Sequence, residues 1–208
     1  MQNMFVSCGG LTSIDLSGFD TSNVTNMESM FYGCNKLTSL DLSSFNTGNV
    51  TNMGDMFNGC SKLTSLDVSG FNTAKVTNIY GMFNGCSSLT SLHLLGFDTT
   101  NVLRMDGMFY NCSSLTSLNL SNFDISNEVN MTNMFHGCTN LTSLDSMQNI
   151  SIALDLSSTK LDATSLLDVI DNLLTVTTNP TLTLGSTLLA KLTEDQIAIA
   201  VNKGWTVA

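Results

Sequence analysis

Serine and aspartate side chains recur at a fixed interval and are the residues of this chain most suited to chemistry. One column is serine at all six of its positions: Ser13, Ser39, Ser65, Ser91, Ser117 and Ser143. The next column holds Asp15, Asp41, Asp67, His93, Asn119 and Asp145. Aligned hydroxyl, carboxylate and amide groups suit a protein or glycan ligand, and their oxygens suit Ca²⁺. No EF-hand loop accompanies them, so we expect no dedicated cofactor or metal, and a solvated polar face is the competing interpretation.

The histidines give little support to catalysis. His93 and His136 fall in different columns, and the sequence contains no G-x-S-x-G, H-E-x-x-H, G-x-G-x-x-G or phosphate-loop motif. No nucleophile, base and orienting group can be recognised together, so we expect a protein that is not an enzyme.

Six cysteines follow the same interval: Cys8, Cys34, Cys60, Cys86, Cys112 and Cys138. On strands stacked about 4.8 Å apart, neighbouring thiols would be close enough for a disulfide, but parallel side-chain directions suit that bond poorly. We expect buried free thiols that pack as small apolar groups, with disulfides between adjacent units as the alternative. A metal site is least favoured, because no Cys-x-x-Cys pair is present.

A repeat of 26 residues underlies all these columns. Met-Phe pairs begin at 4, 30, 56, 82, 108 and 134, and all 11 phenylalanines and all 6 cysteines fall in three columns. Such a register predicts stacked units that bury their apolar sides against one another.

Each unit can be divided into a strand and a helical segment. In the second unit, Leu37, Leu40 and Leu42 predict a short strand that pairs in parallel with its copies. Apolar residues from 50 to 60 then recur every three or four positions, which predicts a short helix or helical turn. The column that contains Gly59 is glycine except for Ser7 and Asn111, so we expect left-handed backbone there.

The repeat decays after Leu144, and Glu128 already replaces valine in the fifth unit. We assign residues 1–148 to six repeats and 149–208 to a capping unit of strand, helix, strand and helix. The cap comprises a strand at 154–156, a helix at about 162–174, a strand at 182–184 and a helix that begins at a capping box at Thr193. The last helix is expected to stop at Gly204.

Composition excludes several classes of function. The 208 residues carry a formal charge of -10, which disfavours binding to nucleic acid or anionic membranes. No apolar run is long enough to span a bilayer, and the N-terminus shows no export signal. Met4 and Phe5 begin in the middle of a unit that no earlier unit covers, so we expect either further residues upstream or a partner or self-association at this end.

The unit M-F-x-G-C-x-x-L-T-S-L-D-L-S-x-F-x-T, seen at residues 30–47, resembles the BspA-like leucine-rich repeats of bacterial surface proteins and mycoplasma lipoproteins. The resemblance covers residues 4 to about 145. It implies an α/β, right-handed solenoid with a parallel sheet on one face and an extracellular, adhesive role. The partner would be a host matrix protein, a mucosal glycan or another bacterial surface. A phage virion or assembly component is the alternative, because no signal or anchor is visible.

Overall fold

The computed structural model describes residues 1–127 and 129–208, so the prediction made for Glu128 lies outside the described residues. Among the described residues, successive segments stack as coils, which we number as follows: coil 1 is 1–26, coil 2 is 27–52, coil 3 is 53–78, coil 4 is 79–104, coil 5 is 105–127 with 129–130, and coil 6 is 131–148. Each coil donates backbone hydrogen bonds to the next, as Phe31 N–H does to the Met56 carbonyl at 2.9 Å. The predicted leucine-rich-type solenoid is confirmed.

Parallel strands form at the predicted positions in coils 3 to 6, but the strand predicted at Leu37, Leu40 and Leu42 is not formed, and coil 1, all of it described, has none either. Strand β1 (Ser65–Asp67) pairs with β2 (Ser91–His93), and β3 (Ser117–Asn119) pairs with β4 (Ser143–Asp145). In each strand the central leucine faces the core and its two neighbours are exposed. This alternation follows from the two-residue period of a strand and places the serine and aspartate columns on the outer face of the sheet.

The Met-Phe segments form overlapping turns, without an α-helix in the described parts of the six coils. Two columns of left-handed residues explain this, because they stand at the third position of turns such as 27–30 and 31–34, where type II turns require positive φ. One is the glycine column, in which left-handed backbone is confirmed, with φ of 57° at Ser7 and 58° at Asn111. The other was not foreseen and consists of Asn3, Ser29, Asp55, Gly81, Gly107 and Asn133.

Identical side chains stack along the core of the array. The phenylalanine rings from Phe5 to Phe135 lie in one ladder, with ring centroids 5.4–5.9 Å apart. A buried threonine ladder runs beside it: the Thr47 hydroxyl donates to the Asn72 carbonyl at 3.1 Å and accepts from the Asn72 N–H at 2.8 Å. These hydroxyls satisfy backbone groups that the coil-to-coil ladder leaves open.

The first coil is less covered than the others. Cys34, Cys60, Cys86, Cys112 and Cys138 are buried free thiols as expected, but the expectation of burial is wrong for Cys8, which is exposed. Met4 is 49% exposed, whereas the methionines below it in its column are buried. Exposure at coil 1 follows from its having a neighbour on one side only.

The last coil is closed by side chains of helix α1 (Ala163–Asn172). The Leu144 N–H donates to Ser165 Oγ at 3.0 Å, and the Ser146 N–H donates to Asp168 Oδ2 at 2.6 Å. Ser146 stands where the preceding coils have leucine or valine, and it remains buried. The helix thus offers acceptors to the edge of β4 in place of another coil.

The remaining elements follow the predicted order. Strand β5 (Leu154–Asp155), β6 (Thr181–Thr183) and β7 (Thr206–Val207) form a parallel sheet, and helix α3 (Glu194–Asn202) begins at the predicted Thr193–Gln196 capping box. Helix α2 (Gly185–Leu189) and strand β7 were not predicted. None of these helices, within the described ranges, has the length and hydropathy of a bilayer-spanning segment.

Candidate functional site

The twelve predicted site residues lie together on the outer side of the strands, which we call the strand face. All of them are exposed: Ser13, Asp15, Ser39, Asp41, Ser65, Asp67, Ser91, His93, Ser117, Asn119, Ser143 and Asp145. Parallel pairing keeps eight of them in register, with Asp67 opposite His93 and Asn119 opposite Asp145. The strand face thus carries hydroxyl, carboxylate and amide groups along the coils, with strand pairing in coils 3 and 4 and, as a separate sheet, in coils 5 and 6.

The aspartates of this stripe also have a local structural task. Asp41 Oδ1 accepts from the Ser43 N–H at 2.9 Å, and the same Asx turn follows Asp15 and Asp67. Asn119 makes the equivalent bond to Ser121 at 3.1 Å. Each turn folds the chain back after its strand, so an acceptor at this position serves folding as well as any ligand.

The same hydrogen bonds tune the carboxylates. The backbone N–H of Ser43 is the main cause that lowers the pKa of Asp41, and Ser17 acts likewise on Asp15. For Asp67 the hydroxyl of Ser69 lowers the pKa most, followed by the N–H of the same residue. The carboxylates of coils 1 to 3 thus stay ionised at neutral pH and present negative charge to solvent.

A depression of about 310 Å³ lies on the strand face between coils 2 and 3. Asp41 and Asp67 flank it, and Leu40, Phe45 and Phe71 contribute apolar surface. Such a combination suits a ligand with both polar and apolar parts. Within the described residues, no group of three or more histidine, cysteine or acidic side chains lies close enough to share a metal ion.

A second group of polar side chains lies on the outer side of the Met-Phe turns, which we call the turn face. The Tyr80 hydroxyl donates to Glu28 Oε1 at 3.3 Å, and the guanidinium of Arg104 lies 4.7 Å from the centre of the Tyr80 ring. Arg104 also makes a bidentate ion pair with Asp106, both bonds at 3.1 Å. Tyr110 stacks on His136 with centroids 5.0 Å apart.

The variability of one column of the repeat could have indicated these residues from the sequence alone. Glu28, Gly54, Tyr80 and Asp106 occupy one column, so this position changes in every coil, while the buried methionine two positions later is constant from Met30 to Met134. In a repeat array, a variable exposed column between invariant buried ones is where ligand-specific chemistry can be placed without cost to the core.

The architecture can be compared with solved structures. The chain is similar to the crystal structure of T. pallidum leucine-rich repeat protein (TpLRR), with 16% sequence identity and a TM-score of 0.39 over 76% of this chain and 79% of that one. No curated protein matches the chain.

The family comparison reaches across the coils and into the cap. The model of the family described as "Mycoplasma protein of unknown function, DUF285" matches residues 1–93 and 75–173, which is more than half of the sequence. The chain belongs to this family.

Proposed function

We propose that this protein is a non-enzymatic binding module of a bacterial surface protein, which holds a protein or glycan ligand against the strand face. The observation that carries the proposal is the recurrence of the twelve exposed polar residues every 26 positions, with eight of them held in register by strand pairing. A leucine-rich-type repeat fold is a protein-interaction scaffold, and the regular spacing of its coils gives a ligand many equivalent contacts.

Charge supports this assignment. The formal charge of the chain is -10, and Asp15, Asp41 and Asp67 follow one another on the strand face. Among the described residues, the one ion pair is that of Arg104 with Asp106, on the other face. The strand-face carboxylates are therefore available to basic groups of a ligand, which they attract over about 10 Å at moderate salt.

The expected location is the bacterial surface, where such a module would attach to host matrix, mucus or neighbouring bacteria. This rests on the resemblance of residues 4 to 145 to repeats of bacterial surface proteins. Ca²⁺ would take part only if a ligand completed its coordination, because it needs six to eight oxygens.

The test is a binding screen of the full chain against fibronectin, fibrinogen, mucin and intact gut bacteria, with and without Ca²⁺. The informative variant is Asp41→Asn with Asp67→Asn, because asparagine keeps the Asx turn, as Asn119 does, and removes only the charge. The matched control is Asp20→Asn with Asp98→Asn, which removes two carboxylates of the same turn type away from the strand face.

We expect the strand-face pair to weaken binding at least tenfold, with the thermal midpoint of unfolding unchanged. The control pair should bind like the wild-type chain. An equal loss of affinity in both double variants would mean that only the net charge of the protein matters for binding. Unaltered binding by the Asp41→Asn, Asp67→Asn variant would rule out the aspartates of the strand face as the site.

A further inference from the structure

A trough of about 450 Å³ crosses the turn face from coil 3 to coil 6. Two successive members of the second left-handed column, Gly81 and Gly107, form its floor, with φ of 56° and 60°. The other coils place a serine, an aspartate or an asparagine at this position. The Asp55 side chain fills the space above Gly81, whereas the space above Gly107 is left open, with no side-chain or backbone atom within 3.5 Å of where a Cβ atom would lie.

Polar and aromatic side chains stand on both sides of this floor. The wall on one side contains Tyr80, Asp106 and Thr132, and the wall on the other contains Asn84 and Tyr110. No aliphatic side chain is part of the lining, in contrast to the depression on the strand face. An apolar helix or an acyl chain would find no complementary surface here.

Several hydrogen-bonding groups of the trough are not engaged within the fold. The side-chain amides of Asn84 and Asn133 make no hydrogen bond to any described residue, and neither do the side-chain hydroxyls of Tyr110 and Thr132. Asn130 is half engaged, because its Oδ1 accepts from the Thr132 N–H at 3.1 Å and its amide N–H groups remain available. The trough thus offers donors and acceptors in alternation.

Charge argues against an anionic ligand. Arg104 neutralises Asp106 through the bidentate pair, and Asp55 accepts from Asn58 Nδ2 at 2.7 Å. Only Asp106 is neutralised, and Asp55 keeps its negative charge, so its carboxylate repels an anion and can accept a hydrogen bond from a ligand hydroxyl. The unengaged groups are all neutral.

A ligand rich in hydroxyl groups matches this set, since each hydroxyl can donate to one group and accept from another. Four coils spaced about 4.8 Å apart give the trough a length of about 14 Å, which suits a short chain of sugars better than a single one. We propose that the trough is a binding site for a neutral oligosaccharide, distinct from the strand face and independent of what binds there.

The test uses the full chain on an array of neutral oligosaccharides that contain hexose, N-acetylhexosamine and fucose units, followed by titration calorimetry with the strongest ligand. Gly107→Asn fills the floor yet keeps the left-handed backbone, as Asn133 and Asn3 do in the same column with φ of 58° and 59°. Its control is Ser29→Asn, in the same column but on coil 2. Tyr110→Phe removes one hydroxyl, and Tyr32→Phe, in the same column three coils away, is its control.

We expect Gly107→Asn to reduce affinity more than tenfold and Tyr110→Phe to reduce it by about 2- to 10-fold, the usual effect of one neutral hydrogen bond. Both controls, and the Asp41→Asn, Asp67→Asn pair, should bind the oligosaccharide like the wild type. The proposal is overturned if no oligosaccharide on the array binds saturably, if binding survives both trough variants, or if basic peptides rather than sugars compete for the trough.

Discussion

The hydroxyl of Tyr80 donates to Glu28 Oε1 at 3.3 Å, although the two residues belong to coils 4 and 2. The ring reaches across coil 3 directly above Gly54, where a Cβ atom would overlap the edge of the ring. Arg104 covers the ring at 4.7 Å. Because neighbours in a repeat array are otherwise linked only pairwise, this contact ties non-adjacent coils together.

Gly54→Ala should destabilise the protein, since the new methyl group would displace the Tyr80 ring and break its bond to Glu28. We expect a loss of about 1–3 kcal/mol in the free energy of unfolding, the usual cost of overpacking. Urea denaturation measures it. Gly70→Ala is the matched control, because nothing lies within 4 Å of a Cβ atom at that position. Equal stability of the two variants would mean that Tyr80 moves aside without cost.

Thr47→Val should also destabilise the array, by a different mechanism. Valine preserves the shape of the buried side chain but leaves the Asn72 carbonyl and N–H without their partner. A buried unsatisfied group costs about 1–3 kcal/mol. The control is Thr51→Val, which removes an exposed hydrogen bond from the Thr51 hydroxyl to the Thr25 carbonyl. Because water can replace this bond, we expect a cost below about 1 kcal/mol. If the two substitutions had the same effect on urea denaturation, the threonine ladder would not contribute through its hydrogen bonds.

Asn111 provides a test of the glycine column. It has φ of 58° where Gly33, Gly59, Gly85 and Gly137 have φ of 70–77°. Asn111→Ala should cost about 1–2 kcal/mol, because a Cβ atom without a compensating polar group is unfavourable in left-handed backbone. Asn111→Gly should be neutral within about 0.5 kcal/mol. The thermal midpoints of unfolding of Asn111→Ala and Asn111→Gly test this expectation. If the alanine variant were as stable as the glycine variant, φ at this position would be able to relax.

The glycine column illustrates how far the sequence alone could lead. Recurrence of Leu66 and its equivalents correctly predicted the parallel strands of coils 3 to 6, because burial on one face leaves one register, but it also predicted a strand in coil 2 that is not formed. The left-handed residues at Gly59 and Asn111 were also predictable from residue type. The second left-handed column was hidden, because Ser29, Asp55 and Gly81 share a backbone conformation but no side-chain chemistry.

The turns and part of the candidate sites likewise depend on backbone conformation and stacking that residue types do not reveal. Apolar residues at intervals of three and four suit a helix and a series of turns equally well, and two residues of positive φ per coil decide for turns. The exposure of Asp41 and Asp67 on the strand face followed from alternation. The contact of Tyr80 with Glu28 did not follow from the sequence. It depends on how the coils stack and on the space that Gly54, which has no side chain, leaves for the Tyr80 ring.

Thiol labelling follows from burial. Cys8 is exposed, whereas the other five cysteines are buried and donate weak hydrogen bonds to phenylalanine carbonyls, as Cys60 does to Phe31 at 3.2 Å. In native protein kept in reductant and then desalted, a thiol reagent should modify Cys8 rapidly and the rest only after addition of denaturant. Peptide mapping identifies the modified residue. Rapid labelling of Cys60 or Cys86 would contradict the packing of the core.

Alkaline pH should destabilise the protein through the same buried thiols. Burial raises the pKa of Cys86 and Cys138 to about 12, and it also raises the pKa of Cys60 and Cys112. An unfolded cysteine ionises at about 8.5, so the stability that the neutral thiols contribute is complete below that pH and declines as the pH rises towards 12. Thermal midpoints measured in reductant from pH 7 to 10.5 should fall above about pH 9. Cys86→Ala lowers stability by leaving a small cavity, but its midpoint should decline less steeply with pH than that of the wild type, whereas Cys8→Ala should leave the slope unchanged. Parallel curves for all three proteins would show that other groups cause the alkaline loss.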